Sequence, residues 1–325
     1  MEAIIKQKVD QIAECIFEKV QKSEGESFGL YSGEFGQLLF LLYYSKFSQN
    51  EKHAILTEQY AVKLLEQFVE KEKLHTFCSG HSGILYLFEF LRENDIIDLD
   101  VNDVQPFLEN YIVSRMRWDI QQQNYDYMHG ALGVGLYFLK RNTNPKYIQE
   151  LIDFLYHMAE KDTNHQIFKW ESVIDPEKNL IGYNLSLCHG ISSIIIFLSR
   201  IVKSDMNEIK ILEMLSGAVN YVLSQQIDYF QYGSYFPSYI KKGSPENNSK
   251  SRLAWCYGDL GIGSDLLIQH DFFNIDRHTQ RRKIDFSILE GLCGICLSFE
   301  NFDYLWYEYI LLDTFTLDNK RNRKS

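Results

Sequence analysis

Hydrophobic residues follow two helical patterns that alternate along the chain. In one pattern nearly every position is apolar, which is typical of buried helices, and it occurs at residues 38–44, 84–91, 134–139 and 194–201. In the other pattern the apolar positions fall on one face only, and it occurs at residues 54–69, 147–157 and 209–223. The alternation predicts inner, buried helices covered by outer, amphipathic helices that have one face in water.

A short glycine turn precedes each stretch of the first pattern. The turn occurs six times, and its first glycines are Gly33, Gly80, Gly130, Gly190, Gly258 and Gly291. Such recurrence indicates one supersecondary unit used repeatedly, so the residues before each turn occupy equivalent positions in space. No set of adjacent segments alternates with a period of two, so no large sheet is expected. The sequence therefore predicts an all-α fold, an α/α toroid of repeated inner and outer helical hairpins.

Two segments depart from the repeat. The spacing between Gly258 and Gly291 leaves room for one inner helix and a short return, so the toroid is expected to be incomplete near its C-terminal end. Residues 231–252 are rich in aromatic residues, proline and glycine, and are predicted to form a long loop beside the helix entrances. We expect a single domain over residues 1–310 and a C-terminal tail over residues 311–325.

The charge balance of the chain is acidic, with 33 basic and 44 acidic residues and a net charge of −11. Nucleic-acid binding requires clustered Lys and Arg, so it is not expected. No apolar stretch approaches the roughly 20 residues that span a bilayer. The N-terminal segment has Lys and Glu between its apolar positions, unlike a signal peptide. A cytoplasmic location is therefore expected, where the six cysteines are more often buried, ligating or catalytic than disulfide-bonded.

Chemically capable side chains recur just before the glycine turns. Two positions before the glycine, three of the repeats carry thiols: Cys78, Cys188 and Cys256. One position before the glycine, three repeats carry imidazoles or a carboxylate: His129, His189 and Glu290. These positions lie at predicted helix N-termini, where the helix dipole and the open N–H groups favour anions and lower the pKa of thiols. The functional site is therefore expected at this end of the repeats.

Four segments resemble the lanthionine synthetase C family, the cyclases that make thioether rings in lanthipeptides. They read Tyr-Asp-Tyr-Met-His-Gly at residues 125–130, Asn-Leu-Ser-Leu-Cys-His-Gly at 184–190, Ser-Arg-Leu-Ala-Trp-Cys-Tyr-Gly-Asp-Leu-Gly at 251–261 and Leu-Glu-Gly at 289–291. The Trp-Cys-Tyr-Gly part is the most specific. The resemblance implies the family's helical toroid and a reaction in which peptide cysteine thiolates add to dehydroalanine or dehydrobutyrine. It also implies a precursor peptide as substrate and a dehydratase or transporter as a further partner.

The resemblance implies roles for particular residues. By likeness to the family, Cys256 is a zinc ligand, His189 donates a proton to the enolate, and Asp126 orients that histidine. The family's other two zinc ligands are an adjacent Cys-His pair in the repeat after Trp-Cys-Tyr-Gly, and this chain has no such pair there. Because residues 289–291 resemble the family's final repeat, the ligand-bearing repeat is expected to be deleted. That deletion agrees with the short spacing before Gly291.

The missing pair bears directly on the zinc that the resemblance implies. A catalytic zinc takes three protein ligands, and Cys256 supplies one. Cys188 and His189 are candidates to replace the missing pair, with Cys78 as a more distant candidate. In that arrangement His189 no longer serves as the proton donor. A zinc-dependent cyclase is expected to lose its metal on Cys256→Ala.

Other interpretations stay open. The chain could be a non-catalytic family member that binds the precursor peptide or a partner modification enzyme, and the two catalytic candidates could instead cap inner helices. Carboxylates such as Asp126, Asp259 and Glu290, all flanking turns at one end, are also compatible with a glycosidase. Cys293 and Cys296 form a Cys-x-x-Cys pair at the start of an apolar stretch, which favours buried thiols over redox or metal chemistry.

Overall fold

A computed structural model of the chain describes residues 2–22, 25, 27–96, 105–164, 166–203, 209–244, 250–252 and 254–266. Within these ranges every helix is too short or too polar to cross a lipid bilayer. The described residues fall into two compact units, one up to Arg115 and one from Met116 onward. The predictions about Glu290, the Gly291 turn, the Cys-x-x-Cys pair and the C-terminal end lie outside the described residues. The single domain stays a prediction.

The first unit is helical throughout its described part. Its helices are α1 Glu2–Lys22, α2 Glu34–Ser48, α3 Glu51–Lys71, α4 His81–Glu93 and α5 Gln105–Gln121, the last of which continues past the unit boundary. α2 and α4 follow the turns at Gly33 and Gly80 and are buried along most of their length. α3 buries one face only. The predicted alternation of inner and outer helices is confirmed in this unit.

Three phenylalanines connect an outer helix to two inner helices in the first unit. Phe35 of α2, Phe68 of α3 and Phe88 of α4 form a triangle, with ring centroids 5.5 to 5.6 Å apart. All three pairs are edge-to-face, the arrangement that the quadrupoles of aromatic rings favour. The apolar pattern of each helix therefore serves one shared core.

The first two glycine turns contact each other at equivalent positions. The Tyr31 N–H donates to the carbonyl of Cys78 at 2.9 Å, and each of these residues stands two positions before its glycine. The hydroxyls of Ser32 and Ser79, one position before their glycines, lie 2.8 Å apart. The expectation that neighbouring repeats bring equivalent residues together is confirmed for this pair of turns.

His81, the first residue of α4, is a buried imidazole. Its Nε2 lies 3.2 Å from the carbonyl of Glu72, and its ring lies edge-on to Phe68 and Tyr111. Burial lowers the pKa of His81 to about 4, although the Glu72 carbonyl acts in the opposite direction. A ring that donates to a carbonyl in apolar surroundings is therefore held neutral in the folded protein.

We expect His81 to make the protein less stable as the pH falls from about 6.5 to about 4. In this window the unfolded chain binds a proton that the folded chain does not, whereas above it the imidazole is neutral in both states. The two pKa values differ by enough to remove about 3 kcal/mol. His81→Gln keeps an N–H donor and removes the titration, so urea denaturation at a series of pH values should show a shallower loss of unfolding free energy. Equal slopes for the two proteins would contradict this assignment.

The second unit combines helices with short strands. Its helices are α6 Ala131–Arg141, α7 Pro145–Met158, α8 Ile191–Lys203, α9 Ile209–Ser224, α10 Tyr229–Tyr232 and α11 Asp259–Leu266. Its strands are β1 Glu160–Asp162, β2 Ile167–Lys169, β3 Ser172–Asp175, β4 Leu180–Asn184 and β5 Tyr239–Lys241. α6 and α8 follow the turns at Gly130 and Gly190 and are mostly buried, whereas α7 and α9 bury one face. The alternation is confirmed in this unit as well.

The strands form two small antiparallel sheets. β1 pairs with β2, and the second sheet has the order β3-β4-β5. β5 comes from the segment that the sequence predicts as a loop, so that prediction was wrong at residues 239–241. A three-residue strand is too short to show a period of two. The expectation that no large sheet forms is confirmed for the described residues.

Trp170 links the strands to α7. Its side chain is fully buried, and its indole Nε1–H donates to the carbonyl of Leu155 at 2.9 Å. The carbonyl of Trp170 in turn accepts from the hydroxyl of Tyr125 at 3.4 Å. Because Tyr125 directly precedes Asp126, this contact helps to fix the turn that carries one of the catalytic candidates.

Candidate functional site

Asp126 and His189 meet in the second unit although they are far apart in the sequence. Asp126 Oδ2 lies 2.6 Å from His189 Nδ1, and each side chain keeps 20% of its surface exposed. A carboxylate can only accept, so Nδ1 carries the proton and Nε2 carries the lone pair. The pairing that the sequence predicts is present, and the arrangement gives His189 the tautomer of a general base.

The two oxygens of Asp126 have different partners. Oδ1 accepts the backbone N–H groups of Met128 at 2.7 Å and His129 at 2.8 Å, which closes the turn before α6. The Asp126 N–H itself donates to the side chain of Asn124 at 3.2 Å. Asp126 therefore orders the turn before α6 but does not cap the helix, whose N-cap Gly130 has no side-chain cap hydrogen bond, and Oδ2 contacts the histidine at the same time.

The turn that carries His189 repeats this hydrogen bonding. The Ser186 N–H donates to the Asn184 side chain at 2.9 Å, as Asp126 donates to Asn124. Ser186 Oγ accepts the His189 N–H at 3.3 Å, so it acts as Asp126 Oδ1 does in the other turn. Neither asparagine was predicted to have a role in the site. The shared spacing, Asn, then Asp or Ser two residues later, then His-Gly, is the signal that could have identified them.

Two rings enclose the imidazole of His189. The His129 ring is stacked on it, with centroids 5.8 Å apart and an interplanar angle of 15°. The Tyr257 ring approaches to 5.1 Å. Burial lowers the pKa of His129, an effect that Asp126 opposes. Burial, followed by the nearby Cys188 thiol, raises the pKa of Tyr257 to about 12. The phenol of Tyr257 therefore keeps its proton at neutral pH.

A cavity of about 410 Å³ opens beside this group. Its wall is formed by the turn after α5, by β3, by the ends of β4 and β5, and by the turns that carry His189 and Tyr257. The lining residues that matter for the chemistry are Asp126, Glu171, Ser172, Asn184, His189 and Tyr257. The cavity therefore combines an acid–base pair with a strand edge and a phenol.

The three predicted thiols differ in their surroundings. Cys188 is fully buried, Cys256 is partly exposed, and both act electrostatically on the phenol of Tyr257. Cys78 belongs to the first unit, where its thiol lies 3.9 Å from the hydroxyl of Ser32. Tyr257, in the turn before Gly258, contacts His189, in the turn before Gly190. This contact agrees with the expectation that equivalent residues of neighbouring repeats lie close together.

The described residues do not fit the zinc that the family resemblance implies. Within the described ranges, no group of three or more His, Cys, Asp or Glu side chains is arranged to hold a metal ion. Cys256, Cys188 and His189 do not form such a group, and the Nδ1 of His189 is already bonded to Asp126. The ligand roles of Cys256 and Cys188 remain predictions.

Asp259, one of the carboxylates considered for a glycosidase, has a structural role. It is buried at the start of α11, and its oxygens accept the backbone N–H groups of Tyr235 at 3.0 Å and Phe236 at 3.1 Å. The Ser251 hydroxyl donates to it at 2.8 Å. The carboxylate therefore fastens the segment before β5 to the Trp-Cys-Tyr-Gly turn.

We expect Asp259→Ala to lower the free energy of unfolding by about 2–3 kcal/mol, because the buried N–H of Phe236 and the partly buried N–H of Tyr235 lose a charged acceptor. Asp228→Ala is a suitable control, since Asp228 caps α10 at an exposed position and its loss should cost about 1 kcal/mol or less. Urea denaturation of the two variants and the parent protein measures the difference. An Asp259→Ala variant no less stable than Asp228→Ala would contradict the assignment.

Comparisons with known proteins agree with this architecture. The profile of the family described as "Lanthionine synthetase C-like protein" matches residues 24–283. Among solved structures, a nisin cyclase chain superposes with a TM-score of 0.62 and 20% sequence identity, over 81% of this chain and 70% of that chain. This likeness confirms the predicted fold class, the helical toroid. No curated protein sequence matches the chain.

Proposed function

The chain belongs to the lanthionine synthetase C-like family, and from this premise we propose that it is a peptide cyclase. Its reaction joins a cysteine thiol of a precursor peptide to a dehydroalanine or dehydrobutyrine of the same peptide, which forms a thioether ring. The observation that carries this proposal is the 2.6 Å contact between Asp126 and His189 at the wall of an open cavity. Such a pair moves protons at neutral pH.

In the proposed reaction His189 transfers one proton. Nε2 takes the proton from the thiol, and the sulfur attacks the β-carbon of the dehydro residue as the S–C bond forms. The electrons of the double bond move toward the carbonyl and give an enolate. The imidazolium then returns the proton to the α-carbon. No electron is gained or lost overall, and Asp126 stabilises the imidazolium between the two transfers.

Tyr257 supports the enolate in this scheme. Its pKa of about 12 means that the phenol is a hydrogen-bond donor under the conditions in which His189 works. Its ring also lies against His189 and limits the rotation of the imidazole. A donor aimed at the enolate oxygen stabilises the charge that develops there.

Zinc is left out of this scheme. A bound zinc supplies a deprotonated thiol at neutral pH, but the described residues contain no three-ligand group that fits it. In the proposed scheme the His189 base performs the deprotonation instead.

The lack of a three-ligand metal group among the described residues favours a second candidate function. A family member without a metal-binding group among its described residues could bind a precursor peptide, or a partner modification enzyme, without closing a ring. The His189 and Asp126 contact favours the cyclase, because it is the tautomer-fixing geometry that proton transfer needs.

A direct test uses a synthetic peptide with one cysteine and one dehydrobutyrine. Ring closure leaves the mass of the peptide unchanged but removes its thiol. After alkylation with iodoacetamide, only the uncyclised peptide therefore gains mass in mass spectrometry. We expect the 325-residue protein to accelerate closure above the spontaneous rate, with or without EDTA. Peptide binding without acceleration would favour the non-catalytic member. Loss of activity with EDTA, and after Cys256→Ala, would contradict the metal-free scheme.

A further inference from the structure

The strand β3 lies at the edge of its sheet and beside the candidate site. Among the described strands the order is β3-β4-β5, so one side of β3 has no neighbour in the sheet. Three consecutive residues, Ser172, Val173 and Ile174, line the same cavity as His189. Side chains of a strand alternate between its two faces. Three neighbours can line one cavity where the edge of the strand, rather than a face, borders it.

The hydrogen bonds of the sheet show which backbone groups of β3 point outward. The carbonyl of Ile181 accepts the Lys242 N–H at 3.2 Å, so the polar backbone groups of Ile181 point toward β5. Successive residues of an antiparallel strand point alternately to its two sides, so Gly182 points toward β3, where it pairs with Ser172. Val173, the next residue, therefore directs its N–H and C=O away from β4.

An apolar patch accompanies this donor and acceptor. Val173 and Ile181 are cross-strand neighbours on one face of the sheet. Their exposed fractions are 61% and 38%, which is high for two β-branched aliphatic residues in contact across a ladder. A strand added beside Val173 would cover this pair with a side chain at alternate positions.

The charges at both ends of β3 are compensated. Glu171, just before the strand, is paired with Lys242, and Asp175 at its end is paired with Lys178 at 2.6 Å. A lysine therefore already offsets the charge of each carboxylate, which leaves little net charge on these two residues to attract a basic peptide. The edge favours an uncharged, apolar segment.

The length and shape of β3 limit its pairing. The strand has four residues, and its register with β4 shifts between Val173 and Asp175. Short strands and bulges are the means by which proteins prevent open-ended pairing of sheet edges. The edge can therefore accept a short extended segment better than a second copy of the same sheet.

We propose that the outer edge of β3 binds an extended, uncharged segment of the substrate peptide as an added strand, with Val173 supplying the backbone donor and acceptor. This inference rests on the proposed cyclase function. Ring closure requires one part of a flexible peptide to be held while another part is brought to His189. Backbone pairing holds peptides of different sequence, because it reads the main chain and only alternate side chains.

Val173→Pro tests the inference with little disturbance of the sheet. Proline removes the outward N–H, and proline is tolerated on edge strands. Val173→Ala is the matched control, since it trims the side chain and keeps the N–H. The probe is a fluorescein-labelled peptide of seven residues, alternating valine and threonine with blocked ends, which has no thiol and no dehydro residue. Fluorescence anisotropy should show binding about tenfold weaker to Val173→Pro and within about threefold of the parent for Val173→Ala.

Hydrogen exchange gives a second readout that needs no variant. The amide of Val173 should exchange rapidly in the protein alone and slowly with saturating probe, whereas the amide of Ser172 should be protected in both. An unprotected Val173 amide in the complex would overturn the inference, and so would equal affinities of the proline and alanine variants. The inference would also be overturned if the parent protein formed dimers in sedimentation velocity and Val173→Pro did not, because the edge would then bind a second copy of the chain.

The outcome is separable from that of the proposed function. If the parent protein binds the probe but does not close rings, the edge-strand inference holds and the proposed cyclase function is contradicted. If rings are closed and Val173→Pro binds the probe as well as the parent does, the cyclase function holds and the edge-strand inference is contradicted.

Discussion

His189→Gln is expected to slow ring closure by about 10²- to 10⁴-fold, the usual contribution of a positioned acid–base group. Glutamine keeps a polar side chain of similar reach, but it neither takes the proton of a thiol nor returns one to an enolate at neutral pH. Asp126 Oδ2 would lose the imidazole N–H that it accepts at the same time. The rate is measured with the cysteine and dehydrobutyrine peptide and thiol alkylation, at saturating protein.

His129→Gln is the matched control for this variant. It makes the same chemical change on the neighbouring ring, one position before the equivalent glycine of the adjacent turn. His129 has no bond to an oxygen of Asp126 through its side chain among the contacts described above, so its loss should cost less than about tenfold. A variant at His129 that is slower than the one at His189 would reverse the two assignments.

Gly190→Ala is expected to lower the free energy of unfolding by about 2–4 kcal/mol. A Cβ at this position would lie 2.2 Å from the carbonyl oxygen of Asn184 and 2.8 Å from the Ser186 nitrogen, both backbone atoms of the turn. The backbone has to move, and His189 moves with it. Urea denaturation gives the stability, and the peptide assay should show a parallel loss of ring closure.

Gly243→Ala separates steric crowding from the general effect of replacing glycine. Gly243 has a φ of +74°, but no heavy atom lies within 4 Å of an added Cβ. Its replacement should cost about 1 kcal/mol from backbone strain alone. If Gly190→Ala costs no more than that, the close approach in the turn is not what requires glycine.

The helices of this protein were predictable because each has a hydrophobic pattern long enough to recognise. The buried stretches after Gly33, Gly80, Gly130 and Gly190 became inner helices, and the amphipathic stretches became outer ones. The pairing of Asp126 with His189 was predictable from the resemblance, since a family constellation carries geometry that spacing alone does not.

Other parts of the site depend on contacts that the sequence does not encode locally. β3 and β5 are strands of three or four residues whose pairing is set by partners distant in sequence. The stack of His129 and Tyr257 on His189 joins three separate turns. Asp259 was a candidate acid from the sequence. In the structure it is buried and accepts three hydrogen bonds that hold the segment before β5, and no local sequence pattern shows these contacts.

The zinc that the resemblance implies stays a prediction. Equivalent positions in a repeat place thiols near one another, but ligation also needs distances and directions that a repeat does not fix. The described residues provide an imidazole already bonded to a carboxylate instead.

The turn after Asn124 and the turn after Asn184 have nearly the same hydrogen bonds. A comparison of the two therefore shows which atoms the backbone needs and which the reaction needs. A single hydroxyl oxygen, that of Ser186, is enough to complete one turn, whereas the other turn has a carboxylate with one oxygen more than the same task requires. The atom in excess is the one that reaches the imidazole. Folding would therefore tolerate its removal and proton transfer would not, so a lineage that gave up the reaction could discard this oxygen without giving up the architecture.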